Sequence, residues 1–306
     1  MTTELCTYTR NACDIARRTG VERIELCAAP LEGGTTPSAG LIRYARSLPG
    51  LRLSVMIRPR GGDFLYTDDE VALMAEEIRL AREYGADGVV FGLLTPDGEV
   101  DETRTAQLVR EAEGMEVTFH RAFDMTRDPR QALEAVIRTG CRRVLTSGGR
   151  NTAQEGIETL RALAAQAAGR IEVMAGSGVG PSNARLLAAT GVDALHFSAR
   201  RERESGMRFR NPQVSMGGCA GVPEYTLPDA DESVVRQILA ELGGRRRFGH
   251  RRPRHPGRKR ITARRERLRG GLRRVYPSWG TSAPFTHNKE SALFSGPPRG
   301  EGQRAA

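Results

Sequence analysis

Lysine is absent from residues 1 to 240, so every permanently positive side chain there is arginine. This reads as a bias of genome composition rather than as chemistry. Tryptophan occurs once, at Trp279. The cysteines Cys6, Cys13, Cys27, Cys141 and Cys219 form no C-x-x-C pair and are too sparse for a disulfide framework. No apolar run approaches the ~18 residues of a membrane span, and no apolar leader follows Met1. The expectation is a protein of the reducing cytoplasm with no membrane partner.

A net positive charge is missing from most of the chain despite an overall +10. From Glu241 onward there are 18 Lys and Arg against 4 Asp and Glu, which leaves 29 against 33 in residues 1 to 240. The first part is therefore mildly acidic and the tail strongly basic. Residues 244–306 are rich in Arg, Pro and Gly with little apolar periodicity, a composition expected to stay disordered because it cannot bury enough surface to offset ordering. One reading of this tail is an electrostatic arm for nucleic acid; the other is an extension with no selected role. The folded domain is expected to be residues 1–243.

What the chain does contain is a repeat. Gly20, Gly85, Gly140 and Gly191 each precede a short polar step and a β-rich run: Val21 to Cys27, Ala86 to Gly92, Cys141 to Ser147 and Val192 to Ser198. Glycine past a helix followed by a brief loop is the αβ connection of a parallel sheet. The copies lie 65, 55 and 51 residues apart, about two strand-helix units of ~30 residues each. Four further strands fall between them, at Leu5 to Tyr8, Leu51 to Pro59, Glu116 to Arg121 and Ile171 to Gly176. Thr67 with Glu70 reads as a capping box, and Asp128-Pro129 as a helix start. Thr36-Pro37 and the Ser177 to Pro181 turn read as further helix starts, and the last helix as Ser233 to Leu242. Eight (βα) units imply an α/β fold closed into a single-domain TIM barrel.

Chemistry in such a barrel sits at the C-terminal strand ends, and side chains two apart share a face. Met56 to Phe64 runs from a strand into Arg58, Arg60, the pair Gly61-Gly62 and Asp63, ingredients suited to an anion. The other strand ends supply Cys6, Glu25, Cys27, Thr118, His120, Arg121, Thr146, Ser147, His196 and Ser198. Gly176 and Gly178 follow the seventh strand, where barrels often hold phosphate on backbone N–H groups; such a loop is equally a tight connection. These residues define one candidate: an enzyme for a small anionic or phosphorylated ligand. Arg58, Arg60, Arg121, Gly176, Gly178, His196 and Ser198 would hold it. His120 would be a general acid or base, oriented by Asp63 or Asp124. Cys6 and Cys27 end neighbouring strands roughly 5 Å apart, each closing a Glu-Leu-Cys triplet whose positions along the strands look equivalent. Two such thiols suit Cu(I), while buried free cysteine is otherwise a small hydrophobe.

Several blocks in order, Arg23-Ile-Glu-Leu-Cys27, Glu32-Gly-Gly-Thr-Thr-Pro-Ser38, Met56-Ile-Arg-Pro-Arg-Gly-Gly-Asp-Phe64, Val117-Thr-Phe-His-Arg-Ala-Phe-Asp124, Arg143-Val-Leu-Thr-Ser-Gly148 and Met207-Arg-Phe-Arg-Asn211, resemble the CutC copper-homeostasis family. The resemblance covers residues 3 to 242 and not the tail. It implies a cytoplasmic TIM barrel, a homodimer, with a role in copper tolerance or trafficking. It also implies Cu(I) binding at Cys6 and Cys27, which match the two positions credited with it in animal members. The rim of Arg58, Asp63, His120, Arg121 and Asp124 looks more like an enzyme's small-molecule site than a copper carrier's.

Overall fold

The computed structural model describes residues 1–214 and 224–243. Cys219, Trp279 and the whole basic tail lie outside the described residues. Eight parallel strands close into a barrel: β1 (Thr2–Thr7), β2 (Arg23–Leu26), β3 (Arg52–Met56), β4 (Gly88–Phe91), β5 (Glu116–Phe119), β6 (Arg143–Thr146), β7 (Glu172–Ala175) and β8 (Ala194–Phe197). β8 pairs back with β1, so no barrel edge remains.

The outer layer is α1 (Arg10–Thr19), α2 (Ala39–Ser47), α3 (Asp68–Glu83), α4 (Glu102–Glu111), α5 (Pro129–Thr139), α6 (Ile157–Ala167), α7 (Ala184–Ala188) and α8 (Glu232–Glu241). The capping box forms as expected, with Thr67 Oγ1 accepting from Glu70 N and the Glu70 carboxylate accepting from Thr67 N. Asp128 caps α5 ahead of Pro129. All four repeat glycines have positive φ, from +79° at Gly20 to +93° at Gly191, which is why glycine recurs there.

Two helix starts shift. α2 begins at Ala39, capped by Ser38 rather than at Thr36-Pro37, because Thr36 instead accepts from Arg58 N and donates to Glu77. α7 begins only at Ala184, since Asn183 Oδ1 accepts from Gly180 N and holds the preceding turn open. The sequence also gave no sign of an antiparallel pair between β8 and α8, formed by β9 (Arg200–Glu204) and β10 (Thr226–Ala230). Arg-Arg-Glu-Arg-Glu is exposed along its length and carries no β-branched or aromatic residue.

The main apolar core lies between barrel and helices, built from residues such as Leu5, Ile24, Val55, Phe91 and Phe119. Inside the barrel the apolar groups are few, in two small clusters: Cys6, Cys27, Met56 and Val90, and Leu145, Met174 and Ala194. Charge fills much of the remainder. Arg23 and Arg143 are 2 % and 1 % exposed and belong to the largest fully buried side chains. Arg143 donates to Glu172, Glu116 and Thr118 at 2.7–3.0 Å. Arg23 pairs with Glu4. Burying such charges is tolerable only because each is paired.

Candidate functional site

Above the ionic layer the barrel opens into a cavity of about 730 Å³, lined by Cys6, Glu25, Arg58, His120, Arg121 and His196 among others. Two walls of opposite character meet in it.

The first wall comes from β1, β2 and β8. Strand register is staggered: Glu4 lies opposite Arg23, and Cys6 opposite Glu25. The two Glu-Leu-Cys triplets are therefore not equivalent, as their spelling suggested; they are offset by the shear of a closed barrel. The thiols nevertheless converge, with Cys6 Sγ 4.0 Å from Cys27 Sγ. Cys6 Sγ also lies 3.3 Å from Tyr8 Oη, and Cys27 Sγ 3.6 Å from Glu25 Oε2. Cys27 is fully buried while Cys6 borders the cavity. His196, expected beside an anion, sits between acids: Nδ1 is 2.8 Å from Glu4 Oε1 and Nε2 is 3.6 Å from Glu25 Oε2.

The charges follow from that packing. The hydrogen bond with Cys27 draws the Cys6 thiol well below its ordinary pKa, against the opposing effect of burial. Burial and the neighbouring Cys6 push Cys27 up, so the pair favours one shared proton. Burial would raise Glu4, but the bond with His196 and the Arg23 charge hold it down at about 2. Burial also raises Glu25. Burial disfavours the His196 imidazolium, yet the Glu25 charge and the contacts with Cys6 and Glu4 lift it well above 6.5.

The second wall comes from β3, β5 and β6. Arg58 is 5 % exposed, and its terminal nitrogens are spent on backbone, with Nη1 donating to Glu32 O and Gly34 O and Nη2 to Gly62 O at 2.6–2.9 Å. It stacks on Phe64, 5.0 Å from the ring centre. Arg60 and Asp63 turn away from the cavity: Arg60 bonds Glu70, Asp63 and Leu65 O, and Asp63 is 72 % exposed. The paired arginine fork read from the sequence thus does not assemble. Asp124 is saturated, accepting from Thr146 Oγ1, Ser147 N, Gly149 N and Arg121 Nε at 2.5–3.0 Å. It anchors Arg121, which still lines the cavity.

His120 Nδ1 accepts from Ala122 N at 3.3 Å, which places the ring proton on Nε2. Burial first, and then the nearby Arg58 charge, lowers its pKa to about 3. It is a neutral, fixed donor at pH 7 rather than an acid. Gly178 and Ser198 line the cavity. Gly176 N donates to Thr146 O and Gly180 N to Asn183 Oδ1, so two of the N–H groups of the glycine loop are already used.

Three of the five buried side-chain nitrogen or oxygen atoms without a hydrogen-bond partner among the described residues belong to cavity residues: Glu25 Oε1, Arg58 Nε and His120 Nε2. Glu4 and Arg23 were not singled out from the sequence, whereas Glu25 was collected there as a strand-end residue and does line the cavity. Glutamate at alternate positions of adjacent strand ends was the available signal.

No described helix is long and apolar enough to cross a membrane. The profile of the CutC family matches residues 1–201. A CutC family protein of Porphyromonas gingivalis is 48 % identical over 245 residues, covering 80 % of this chain and 99 % of that one. The mouse copper homeostasis protein cutC homolog is 48 % identical over 238 residues, covering 78 % and 88 %. The crystal structure of the putative copper homeostasis protein CutC of Streptococcus agalactiae superposes with a TM-score of 0.62 at 34 % identity, covering 65 % of this chain and 98 % of that one. A chain matched by the family's profile over residues 1–201, and nearly half identical to such relatives over most of their own length, belongs to the CutC family.

Proposed function

We propose that this chain acts in copper homeostasis by binding Cu(I) between Cys6 and Cys27. The observation that carries the reading is the 4.0 Å separation of the two sulfurs. Two metal–thiolate bonds of ~2.3 Å reach up to about 4.6 Å, so an ion fits between them without movement of the strands. Soft sulfur donors select Cu(I) over harder cations. Cys6 already favours the thiolate, and the ion would displace the proton held at Cys27. The cavity gives access from the Cys6 side. The test is anaerobic Cu(I) titration against a chromophoric competitor. Wild type is expected to bind one ion per chain and Cys27→Ala to bind at least about tenfold more weakly; equal affinities refute the reading.

A second reading, a barrel enzyme or binding protein for a small anionic molecule, is favoured by the orphan His120 Nε2 and Arg58 Nε. The donors offered are His120, Arg58 and Arg121, with Asp124 positioning Arg121. Arg60, Asp63 and His196 take no part in this wall. A ligand-observed NMR screen of small carboxylates and phosphates should give a hit that His120→Asn weakens. A screen without one removes this reading.

A further inference from the structure

Beside the thiol pair lies a different donor set. Cys6 Sγ, a carboxylate oxygen of Glu25 and a ring nitrogen of His196 all fall within 4.8 Å of one another. They come from three consecutive strands, because β1 pairs with both β2 and β8. We propose that Cys6, Glu25 and His196 form a site for a divalent cation of the Zn(II) class, with an open coordination position facing the cavity.

Donor chemistry separates this site from the copper reading. One thiolate, one carboxylate and one imidazole are the mixed sulfur, oxygen and nitrogen ligands of Zn(II) or Co(II), whereas Cu(I) avoids carboxylate oxygen. Three protein ligands with one free position are the pattern of zinc sites that do chemistry rather than hold structure. All three residues line the cavity, and the fully buried Cys27 does not.

Two further observations point to a cation. Glu25 is 2 % exposed, and its Oε1 has no hydrogen-bond partner. An unpartnered buried acceptor is destabilising, and a cation would satisfy it. His196 is also mounted as a metal-binding histidine usually is: Nδ1 faces Glu4 Oε1 at 2.8 Å, and Nε2 is directed toward Glu25. A carboxylate on the far nitrogen fixes the tautomer and the ring orientation. Arg23 in turn holds Glu4 from below. The open position would accept water or an oxygen of a small ligand from the same cavity that His120 and Arg121 line.

The proposal shares Cys6 with the Cu(I) reading but does not rest on it, and the full-length protein can separate the two. After removal of metals by chelation, Co(II) is titrated anaerobically. The readouts are the thiolate-to-cobalt charge-transfer absorption in the near ultraviolet and the visible bands of four-coordinate Co(II), with Zn(II) added to displace the probe. Glu25→Gln is expected to weaken Co(II) binding at least about tenfold while changing Cu(I) affinity far less, since Glu25 touches Cys27 but is no copper ligand. Cys27→Ser should do the reverse, and Cys6→Ser should abolish both. Glu4→Gln, which keeps every ligand, should weaken Co(II) by about 10- to 100-fold. Circular dichroism verifies each fold, and the isosteric Glu25→Gln removes a buried charge rather than adding one. Wild-type Co(II) affinity in Glu25→Gln overturns the proposal. So does loss of Co(II) binding in Cys27→Ser, or a spectrum without the thiolate band. Failure of Cu(I) binding alone would leave this site standing.

Discussion

Replacing His120 by asparagine should remove a specific part of the acid sensitivity of the fold. His120 is 4 % exposed and titrates at about 3 instead of 6.5, chiefly through burial and then through Arg58. Its folded pKa is depressed, so its contribution to stability is fully present above the unfolded value and is lost as pH falls toward the folded one. Between pH 7 and 4.5 the unfolded chain takes up this proton and the folded chain does not. Roughly two pH units below 6.5, at ~1.4 kcal/mol each, give a loss of about 2–3 kcal/mol. Because pH 4.5 lies above the folded value, the size of this loss is governed almost wholly by the unfolded histidine. Asparagine keeps the local geometry, since it is a good N-cap acceptor for the Ala122 N–H that His120 Nδ1 now binds. Urea unfolding at both pH values measures the effect as a difference of differences, so the carboxylates common to both proteins cancel. Wild type should lose about 2–3 kcal/mol more than His120→Asn over this range. Equal pH slopes would mean that His120 is charged or solvated in the folded state, and would end the view of it as a neutral donor.

Arg23→Met removes the arginine partner of fully buried Glu4 and leaves it only His196, which should cost about 3–5 kcal/mol, read as a large fall in the urea midpoint. Arg18→Ala, which breaks an exposed pair with Glu232, should shift that midpoint far less. Gly176→Ala would place a Cβ 2.6 Å from Leu145 Cδ1 and 3.3 Å from His196 Cβ. Both neighbours are packed inside the barrel, so a loss of about 1–3 kcal/mol is expected from overpacking. A neutral substitution there would show that the barrel interior can yield.

The barrel was legible because its signals are local. Gly20, Gly85, Gly140 and Gly191 adopt the left-handed conformation that only glycine takes cheaply, so strand order could be counted from them. The capping box at Thr67 and the cap at Asp128 are likewise set within four residues. What was hidden depends on register. Neighbouring strands slide relative to one another when a barrel closes, and that slide puts Glu4 beside Arg23 and Cys6 beside Glu25. Spacing along the chain carries no trace of it. The same holds for Arg58, whose donors go to carbonyls of two loops that touch only after folding. His196 likewise gave no hint that acids, not an anion, would surround it.

The two cavity walls also bear on how much of the site one copper ion can account for. A Cys6–Cys27 site uses two sulfurs on one side and leaves Glu25 Oε1, Arg58 Nε and His120 Nε2 without partners. Each buried orphan costs about 1–3 kcal/mol, a sum comparable with much of the ~5–15 kcal/mol that keeps a domain folded. The orphans are not of one kind. The acceptor lies on the acidic wall with Cys6 and His196, and the two donors lie on the wall with Arg121 and Phe64. A cation satisfies the first and an oxygen ligand the second, so neither alone quiets the cavity. Thiols alone would explain a carrier; the opposed orphan groups are what a carrier does not need. The binding experiments therefore have to follow the two walls separately, with Glu25 reporting one and His120 the other.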